Sequence, residues 1–350
     1  MFKELTRANI KQLRPYSAVE VPCRVKLDAN EAPYGLAPGM LTVQTNRYPD
    51  PEARELRRHL AQTLDVATEN IILGNGSDEI IYHLITALGG PVLYPAPTFV
   101  MYGIIAQTLA EASVPVPLGY NFDLNANAMI EAIRRENPRL IFLSSPNNPT
   151  GNSFNQDVII EILRQSKGIV VVDEAYQPYS TIPSVISMIP NYKNLYVMRT
   201  LSKVGLAALR VGLLVGAAEG IEELNKVRLP YNVNALSQSM ALMALKDGGL
   251  IEQNIRTVFA ERQRLWQGLA HMDGITAYPS DANFILIKTD SAKTLHQSLL
   301  RDGILVKDMT SVLEDCLRIT IGKPEENTEL LNAMEGVSEG AAPPGSVPPA

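Results

Sequence analysis

A lysine lies beside hydroxyl side chains in an otherwise apolar stretch of this chain. Residues 199–203 read Arg-Thr-Leu-Ser-Lys, and the next charged residue is Arg210. A lysine amine reacts with an aldehyde to form a Schiff base, whereas hydroxyl and guanidinium groups hydrogen-bond to a phosphate. Most lysines are solvated surface charges, but residues 194–198 predict a buried strand directly before the stretch 199–203. Lys203, Ser202 and Arg210 are therefore candidate active-site residues.

Two further polar groups follow predicted strands. Asp173 ends a run of β-branched residues, and Asn148 lies in the sequence Pro-Asn-Asn-Pro-Thr-Gly over 146–151. A carboxylate in that position serves as a metal ligand, as a helix cap or as the partner of a protonated ring nitrogen. The asparagine also suits an ordinary turn. The four histidines and two cysteines are scattered along the chain, so we do not expect a metal site.

A glycine-containing turn opens a predicted helix at Gly76, Ser77 and Asp78. Backbone N–H groups at the start of a helix bind phosphate well. The same residues also suit a simple strand–turn–helix connection, with Ser77 or Asp78 as the helix cap. The turn matches neither the dinucleotide-binding pattern G-x-G-x-x-G nor a Walker loop.

Short apolar strands alternating with helices must position these groups. This alternation predicts an α/β fold, with a mostly parallel sheet flanked by helices and a smaller C-terminal α/β unit. Each candidate motif follows the last apolar residue of a predicted strand; the motifs are Gly74–Glu79, Pro95–Phe99, Ser144–Gly151, Asp173–Tyr176 and Thr200–Lys203. Ligands of open α/β sheets bind outside the carboxyl ends of the strands. We therefore expect these five clusters to line one crevice.

The groups together suit pyridoxal 5′-phosphate. This cofactor needs a lysine, a carboxylate at its pyridine nitrogen, a donor at its ring hydroxyl and a phosphate pocket. Lys203, Asp173, and Asn148 with Tyr176 would fill the first three roles. Ser77, Ser202 and Arg210 would form the phosphate pocket. Phe99 lies where a flat ring would stack on the cofactor, although Phe99 and Tyr176 also suit a core.

The order of these motifs resembles that of the fold-type I pyridoxal-phosphate aminotransferases. The matching residues are Asn147–Gly151, Asp173–Tyr176, Ser202, Lys203 and Arg210. The resemblance covers roughly residues 10–335. It implies an aspartate aminotransferase-like fold and transamination, with Lys203 as the catalytic residue.

A closer resemblance is to the histidinol-phosphate aminotransferase family. It rests on residues 13–16, 27–31, 46–49, 76–79 and 316–320. It implies transfer of an amino group between histidinol phosphate or imidazole-acetol phosphate and glutamate or 2-oxoglutarate, in histidine biosynthesis. It also implies a homodimer with both active sites at the subunit interface. Two alternatives share these motifs: an aromatic amino-acid aminotransferase and a threonine-phosphate decarboxylase.

The same resemblance implies several residue roles. Gly76, Ser77 and Asp78 would bind the cofactor, and Tyr48 would reach the cofactor phosphate of the partner subunit. Tyr16 and Asn30 would face the substrate, Arg318 would bind a substrate carboxylate, and Lys307 lies where some relatives have an arginine for the substrate phosphate. The chain departs from the family in two places. Phe99 replaces a frequent tyrosine, and the run from Lys203 to Arg210 is one residue shorter than in many members.

Composition excludes several other classes of protein. The chain is 46% hydrophobic and 19% charged, which is typical of a soluble globular protein. Its formal net charge is -6 and it has no basic run, so we do not expect it to bind nucleic acid. It has no uncharged apolar run of about 18 residues and no apolar signal core at its start, so we expect no membrane span and a cytoplasmic location.

The length of 350 residues predicts about two domains. We predict an N-terminal arm over 1–30, a large cofactor-binding domain over 31–240 and a small domain over 241–335. Residues 336–350 are rich in Gly, Pro and Ser, which predicts a disordered tail without a function.

Overall fold

The computed structural model describes residues 23–28, 30, 33–34 and 48–339, with side chains as far as residue 335. Tyr16 and most of the predicted arm lie outside the described residues, as does the predicted tail beyond residue 339. The last helix ends at Glu339 and so includes residues 336–339 of the segment that we predicted to be disordered. Gly336 reads as a stop signal in the sequence, but a glycine inside a helix costs only about 1 kcal/mol.

Strands and helices alternate over most of the described chain. The strands are β1 Val25–Leu27, β2 Ile71–Asn75, β3 Val92–Ala96, β4 Ser113–Pro117, β5 Leu140–Ser144, β6 Ile169–Asp173, β7 Leu195–Thr200, β8 Val211–Val215, β9 Thr276–Ala277, β10 Phe284–Lys288, β11 Ile304–Asp308 and β12 Cys316–Thr320. The helices are α1 Arg54–Leu64, α2 Ser77–Leu88, α3 Met101–Thr108, α4 Ala126–Glu136, α5 Gln156–Gln165, α6 Ala218–Asn225, α7 Ala235–Asp247, α8 Gly249–Ala270, α9 Ala292–Arg301 and α10 Pro324–Glu339.

Within the described residues, the main sheet has seven strands in the order β2-β8-β7-β6-β5-β3-β4. The neighbours from β7 to β4 pair in parallel, while β8 runs antiparallel to both β2 and β7. The central strands consist of β-branched and other apolar residues, and Val170, Val171 and Val172 are at most 1% exposed. Helices cover both faces of such a buried sheet. The prediction of a mostly parallel sheet is confirmed.

A second sheet has the order β1-β11-β12-β10-β9. Its first strand comes from the predicted N-terminal arm, where we expected no packed element. Val25 and Leu27 are buried, and β1 pairs in parallel with β11. Three residues are too short for a strand signal in the sequence, and their partner lies about 280 positions away. The domain boundary near residue 240 stays a prediction.

The register of the main sheet places the predicted motifs side by side. Ser144 at the end of β5 pairs with Asp173 at the end of β6, and Asp173 pairs with Met198 of β7. At the other side of β7, the antiparallel β8 begins where β2 ends, since Asn75 pairs with Val211. The residue before β8 therefore lies next to the turn that opens α2. That residue is Arg210.

Candidate active site

The loop that carries Lys203 is held on two sides. The hydroxyl of Tyr179 donates a 2.6 Å hydrogen bond to the backbone carbonyl of Lys203, and the Asn254 side chain donates one of 3.3 Å to the carbonyl of Val204. The next residue, Gly205, has φ +102°, and a Cβ there would come within 2.7 Å of backbone and side-chain atoms. A glycine is therefore required for this path. The loop fixes the backbone from which the lysine side chain extends.

The lysine amine lies near a buried tyrosine. The Nζ atom of Lys203 is 5.9 Å from the ring centroid of Tyr176, in the range of a cation–π contact. The ring of Tyr176 packs edge-on against Phe284, with centroids 5.1 Å apart. Lys203 and Tyr176, predicted from separate motifs, thus belong to one cluster.

Asp173 is a buried carboxylate at the end of β6, 4% exposed. Burial raises its pKa to about 6, against the lowering effect of two hydrogen bonds. The hydroxyl of Tyr102 donates to Oδ2 over 2.6 Å, and the N–H of Ala175 donates to Oδ1 over 3.0 Å. A buried carboxylate with these properties is well suited to pair with a cationic group.

Gly76 and Arg210 lie in contact at the start of α2, in a group suited to binding an anion, which we call the cradle. Gly76 has φ +80°, and a Cβ there would collide with the guanidinium of Arg210. That guanidinium lies 3.4 Å from a carboxylate oxygen of Asp78 and donates over 3.5 Å to the hydroxyl of Ser202. Ser77 is the first residue of the helix, where N–H groups point outward. The shorter loop after Lys203 does not carry Arg210 away from this cradle, because the antiparallel register of β8 holds it there.

Arg318 connects the two sheets. Its Nη1 donates a 2.5 Å hydrogen bond to the side-chain oxygen of Asn148, and its Nη2 donates to the carbonyl of Asp28 over 2.9 Å. Lys307 of β11 is directly opposite Arg318 of β12. Residues directly opposite in an antiparallel pair project from the same face of the sheet. Lys307 is exposed there, so the two cations share one face.

Asn30 is 1% exposed and contacts Tyr176. Its side-chain amide donates to the hydroxyl of Tyr176 over 3.1 Å, and its side-chain oxygen accepts from the hydroxyl of Thr320 over 3.0 Å. Its backbone N–H also donates to Thr320. Asn30 thus orients the phenol of Tyr176 through a hydrogen bond to its hydroxyl. Any direct contact of Asn30 with a substrate stays a prediction.

Two predicted aromatic residues lie at different distances from the cluster. Phe99 follows the end of β3 and packs edge-on against Tyr102, with ring centroids 5.6 Å apart. Tyr48 is 82% exposed and stacks on Tyr231 at the surface, with centroids 4.8 Å apart. The single chain therefore brings Phe99 to the cluster but leaves Tyr48 outside it.

Sequence reasoning missed three residues that contact the predicted ones: Tyr102, Tyr179 and Thr320. Tyr102 lies in an apolar helix and reads as a core aromatic residue. A buried tyrosine hydroxyl needs a hydrogen-bond partner, which was the available signal. The sequence did not show which partner it would find, because Asp173 is 71 positions away.

The donors present fit the expected cofactor. A buried carboxylate suits a protonated ring nitrogen, and the Gly76–Arg210 cradle suits a phosphate. Among the described residues, no group of three or more histidine, cysteine, aspartate or glutamate side chains is arranged to hold a metal. No helix in the described part of the chain has the length and apolarity needed to cross a membrane.

Comparison with known proteins identifies the family. The family model "Aminotransferase class I and II" matches residues 25–334. A histidinol-phosphate aminotransferase of Caldanaerobacter subterraneus subsp. tengcongensis is 39% identical over 96% of this chain and 99% of its own length. One from Aquifex aeolicus is 42% identical over 93% and 96%.

A solved structure has the same fold. The histidinol-phosphate aminotransferase of Sinorhizobium meliloti, in complex with pyridoxal-5′-phosphate, superposes with a TM-score of 0.85 over 97% of this chain and 98% of that one, at 24% identity. The resemblance inferred from the motifs and the fold class expected from it are both confirmed. The chain therefore belongs to the aminotransferase class I and II family, as a relative of the histidinol-phosphate aminotransferases.

Proposed function

We propose that this protein is a pyridoxal-phosphate-dependent histidinol-phosphate transaminase of histidine biosynthesis. It transfers the amino group between histidinol phosphate or imidazole-acetol phosphate and glutamate or 2-oxoglutarate. The observation that carries the proposal is near-full-length identity of 39% and 42% to two enzymes of that name. The clustering of Lys203, Asp173 and Asn148 at adjoining strand ends supports the same chemistry.

Several residues would hold the cofactor. Asp173 would pair with the pyridine nitrogen, and Asn148 with Tyr176 would hydrogen-bond to the ring oxygen. Phe99 would stack on the ring. The phosphate would be bound by the cradle and its neighbours, which are Gly76, Ser77, Asp78, Ser202 and Arg210. Pyridoxal phosphate, when bound, supplies an electrophilic carbon and a ring that withdraws electrons from the substrate.

The protein supplies the proton transfer. Lys203 would take a proton at its Nζ atom from the substrate carbon and return it to the acceptor carbon. Tyr179 holds the backbone of that lysine through a hydrogen bond to its carbonyl oxygen. Asp173 holds a negative charge beside the ring nitrogen and so favours the protonated form of that nitrogen.

Two cations of the smaller sheet would select the substrates. Glutamate and 2-oxoglutarate carry two carboxylates each, and histidinol phosphate carries a phosphate. Arg318 presents a planar guanidinium, which binds carboxylates in a bidentate manner. Lys307, on the same face, offers a point charge for the phosphate. Tyr16 would complete this region, but it lies outside the described residues.

We also propose that the enzyme is a cytoplasmic homodimer with shared active sites. Tyr48 would then reach the cofactor phosphate of the partner subunit. Two exposed aromatic rings support an interface at this surface: Tyr48 is 82% exposed and stacks on Tyr231, which is 42% exposed.

The test is turnover with a panel of substrates. The purified protein with pyridoxal phosphate and glutamate is offered imidazole-acetol phosphate, phenylpyruvate and oxaloacetate, and 2-oxoglutarate is measured. We expect the imidazole compound to be preferred. Turnover of phenylpyruvate alone would indicate an aromatic aminotransferase and contradict the specific assignment. Release of carbon dioxide and an amine from threonine phosphate would instead indicate a decarboxylase.

A further inference from the structure

Tyr102 of α3 makes two contacts that converge on the proposed cofactor site. It is fully buried, and its hydroxyl donates to Oδ2 of Asp173 over 2.6 Å. Its ring lies edge-on to Phe99, with centroids 5.6 Å apart. The other side of the ring stacks on Phe142 of β5, with centroids 4.5 Å apart and planes 3° from parallel. The tyrosine is therefore clamped by β5 while it touches both residues.

The hydrogen bond has a fixed direction. Burial raises the pKa of Tyr102 well above its ordinary value, so the phenol keeps its proton at neutral pH. The phenol is thus the donor and the carboxylate is the acceptor. A donor at the carboxylate favours its charged form and opposes the effect of burial.

The hydroxyl of Tyr102 supplies a large share of the stabilisation of the negative charge on Asp173. The neighbouring acids Glu174 and Asp78 both disfavour a charge on Asp173. Glu174 is paired with Arg199 over 2.8 Å, and Asp78 with Arg210 over 3.4 Å. Other groups near the carboxylate are the N–H of Ala175, the hydroxyls of Ser144 and Tyr176, and the amine of Lys203 beside Tyr176.

We propose that Tyr102 is the positioning residue that keeps Asp173 ionised and aimed at the ring nitrogen of pyridoxal phosphate, and that fixes the stacking ring of Phe99. The proposal deepens the proposed function and rests on it for the identity of the cofactor. Tyr102 itself touches neither cofactor nor substrate. Its effect passes through Asp173 and Phe99.

The first measurement is cofactor binding against pH. Tyr102→Phe removes the hydroxyl and keeps the ring contacts. We expect the acidic limb of pyridoxal-phosphate binding to move to higher pH by about one unit, because a charge-assisted hydrogen bond to Asp173 is lost. Binding at alkaline pH should stay close to that of the wild type, since Asp173 is ionised there in both proteins. A purely structural role would weaken binding equally at every pH.

Tyr196→Phe is the matched control. Tyr196 is a buried tyrosine of the same apolar cluster, and its hydroxyl lies beside Gly220, away from Asp173. Loss of the Tyr196 hydroxyl should leave the acidic limb of pyridoxal-phosphate binding at its wild-type pH. If the acidic limb of Tyr102→Phe also stayed at its wild-type pH, the inference would be overturned. Wild-type protein that fails to bind pyridoxal phosphate would instead overturn the proposed function.

The second measurement needs no cofactor. The full chain without pyridoxal phosphate is unfolded by heat at pH values from 4 to 8, as wild type, Tyr102→Phe, Asp173→Asn and the double variant. Tyr102→Phe should lower the midpoint by several degrees at pH 8 and by much less at pH 4. In the Asp173→Asn background the same change should have a small effect that is independent of pH. Additive, pH-independent effects would contradict the coupling.

The double variant also covers a failure to fold. If Tyr102→Phe alone does not fold, the double variant should, because it lacks the buried charge that lost its donor. A double variant that fails as well would overturn the inference, since the defect would then not depend on the charge of Asp173.

Discussion

The guanidinium of Arg318 donates a 2.5 Å hydrogen bond to the side-chain oxygen of Asn148. Arg318 belongs to β12 of the smaller sheet, and Asn148 follows β5 of the main sheet, 170 positions earlier. The bond joins the two sheets at the residues proposed to bind the substrate carboxylate and the cofactor ring. This hydrogen bond therefore links the two sheets directly, through two residues of the candidate site.

Replacing Arg318 by lysine should weaken the use of glutamate. Lysine keeps the charge but loses the planar pair of donors, so we expect kcat/KM for glutamate to fall by roughly 10- to 100-fold. Steady-state kinetics at several glutamate concentrations measure this. Arg164→Lys, at an exposed position, is the control and should have no effect. Unchanged kcat/KM for both dicarboxylate substrates would contradict the role of Arg318.

Replacing Lys203 by alanine should abolish transamination. The variant lacks the amine that moves the proton, and we expect a loss of at least about 10³-fold in kcat. Borohydride reduction should attach pyridoxal phosphate to the wild type but not to the variant, as mass spectrometry would show. Lys193→Ala removes an exposed lysine and should retain both properties. Near wild-type turnover in Lys203→Ala would refute the assignment.

Replacing Gly76 by alanine should loosen the hold on the cofactor phosphate. The new Cβ would displace the guanidinium of Arg210, and φ of +80° adds strain. We expect the dissociation constant for pyridoxal phosphate to rise at least about tenfold, measured by titration of the cofactor-free chain. Gly274→Ala imposes similar strain, φ +73°, with no atom within 4 Å of the new Cβ. A similar loss of affinity in both variants would point to strain alone.

Replacing Asp173 by asparagine should change how the stability of the cofactor-free chain depends on pH. The folded pKa of about 6 lies above the ordinary value of 3.8, so ionisation destabilises the folded state. The contribution of this carboxyl to the free energy of unfolding therefore falls as pH rises from about 4 to about 6 and is constant above that. The variant lacks this loss and should exceed the wild type by up to roughly 3 kcal/mol at neutral pH, while binding pyridoxal phosphate less well.

Denaturant unfolding at pH 4, 5, 6 and 7 measures this difference. Asp290→Asn, at an exposed position, is the control and should follow the wild type. If the variant were less stable than the wild type by the same amount at every pH, ionisation of Asp173 would not destabilise the folded chain.

Mixing two inactive variants tests the shared active site. Lys203→Ala keeps Tyr48, and Tyr48→Ala keeps Lys203, so a hybrid dimer would contain one intact site. We expect each variant alone to be impaired and an equal mixture, unfolded and refolded together, to recover about a quarter of wild-type activity. Size-exclusion chromatography with light scattering checks the dimer. Activity of the mixture equal to the mean of the two variants would argue against a Tyr48 that serves the partner.

The sequence by itself determined the fold class and most of the candidate site. β-Branched runs predict buried strands wherever they occur, and the polar residue after each run was visible without a structure. Asp173 and Lys203 followed from this pattern, because parallel strands bring their carboxyl ends to one edge of the sheet. The pattern is local, so a sequence read in order is sufficient to find it.

Only the tertiary structure decided which groups meet. Tyr102 reads as a core aromatic residue in the sequence, but its hydroxyl donates to Asp173, and the side-chain amide of Asn30 donates to the hydroxyl of Tyr176. Arg210 was placed by the antiparallel register of β8 beside β2. These contacts join residues 71 to 146 positions apart. Side-chain direction and pairing over such separations depend on the packing of whole elements, which no local pattern encodes.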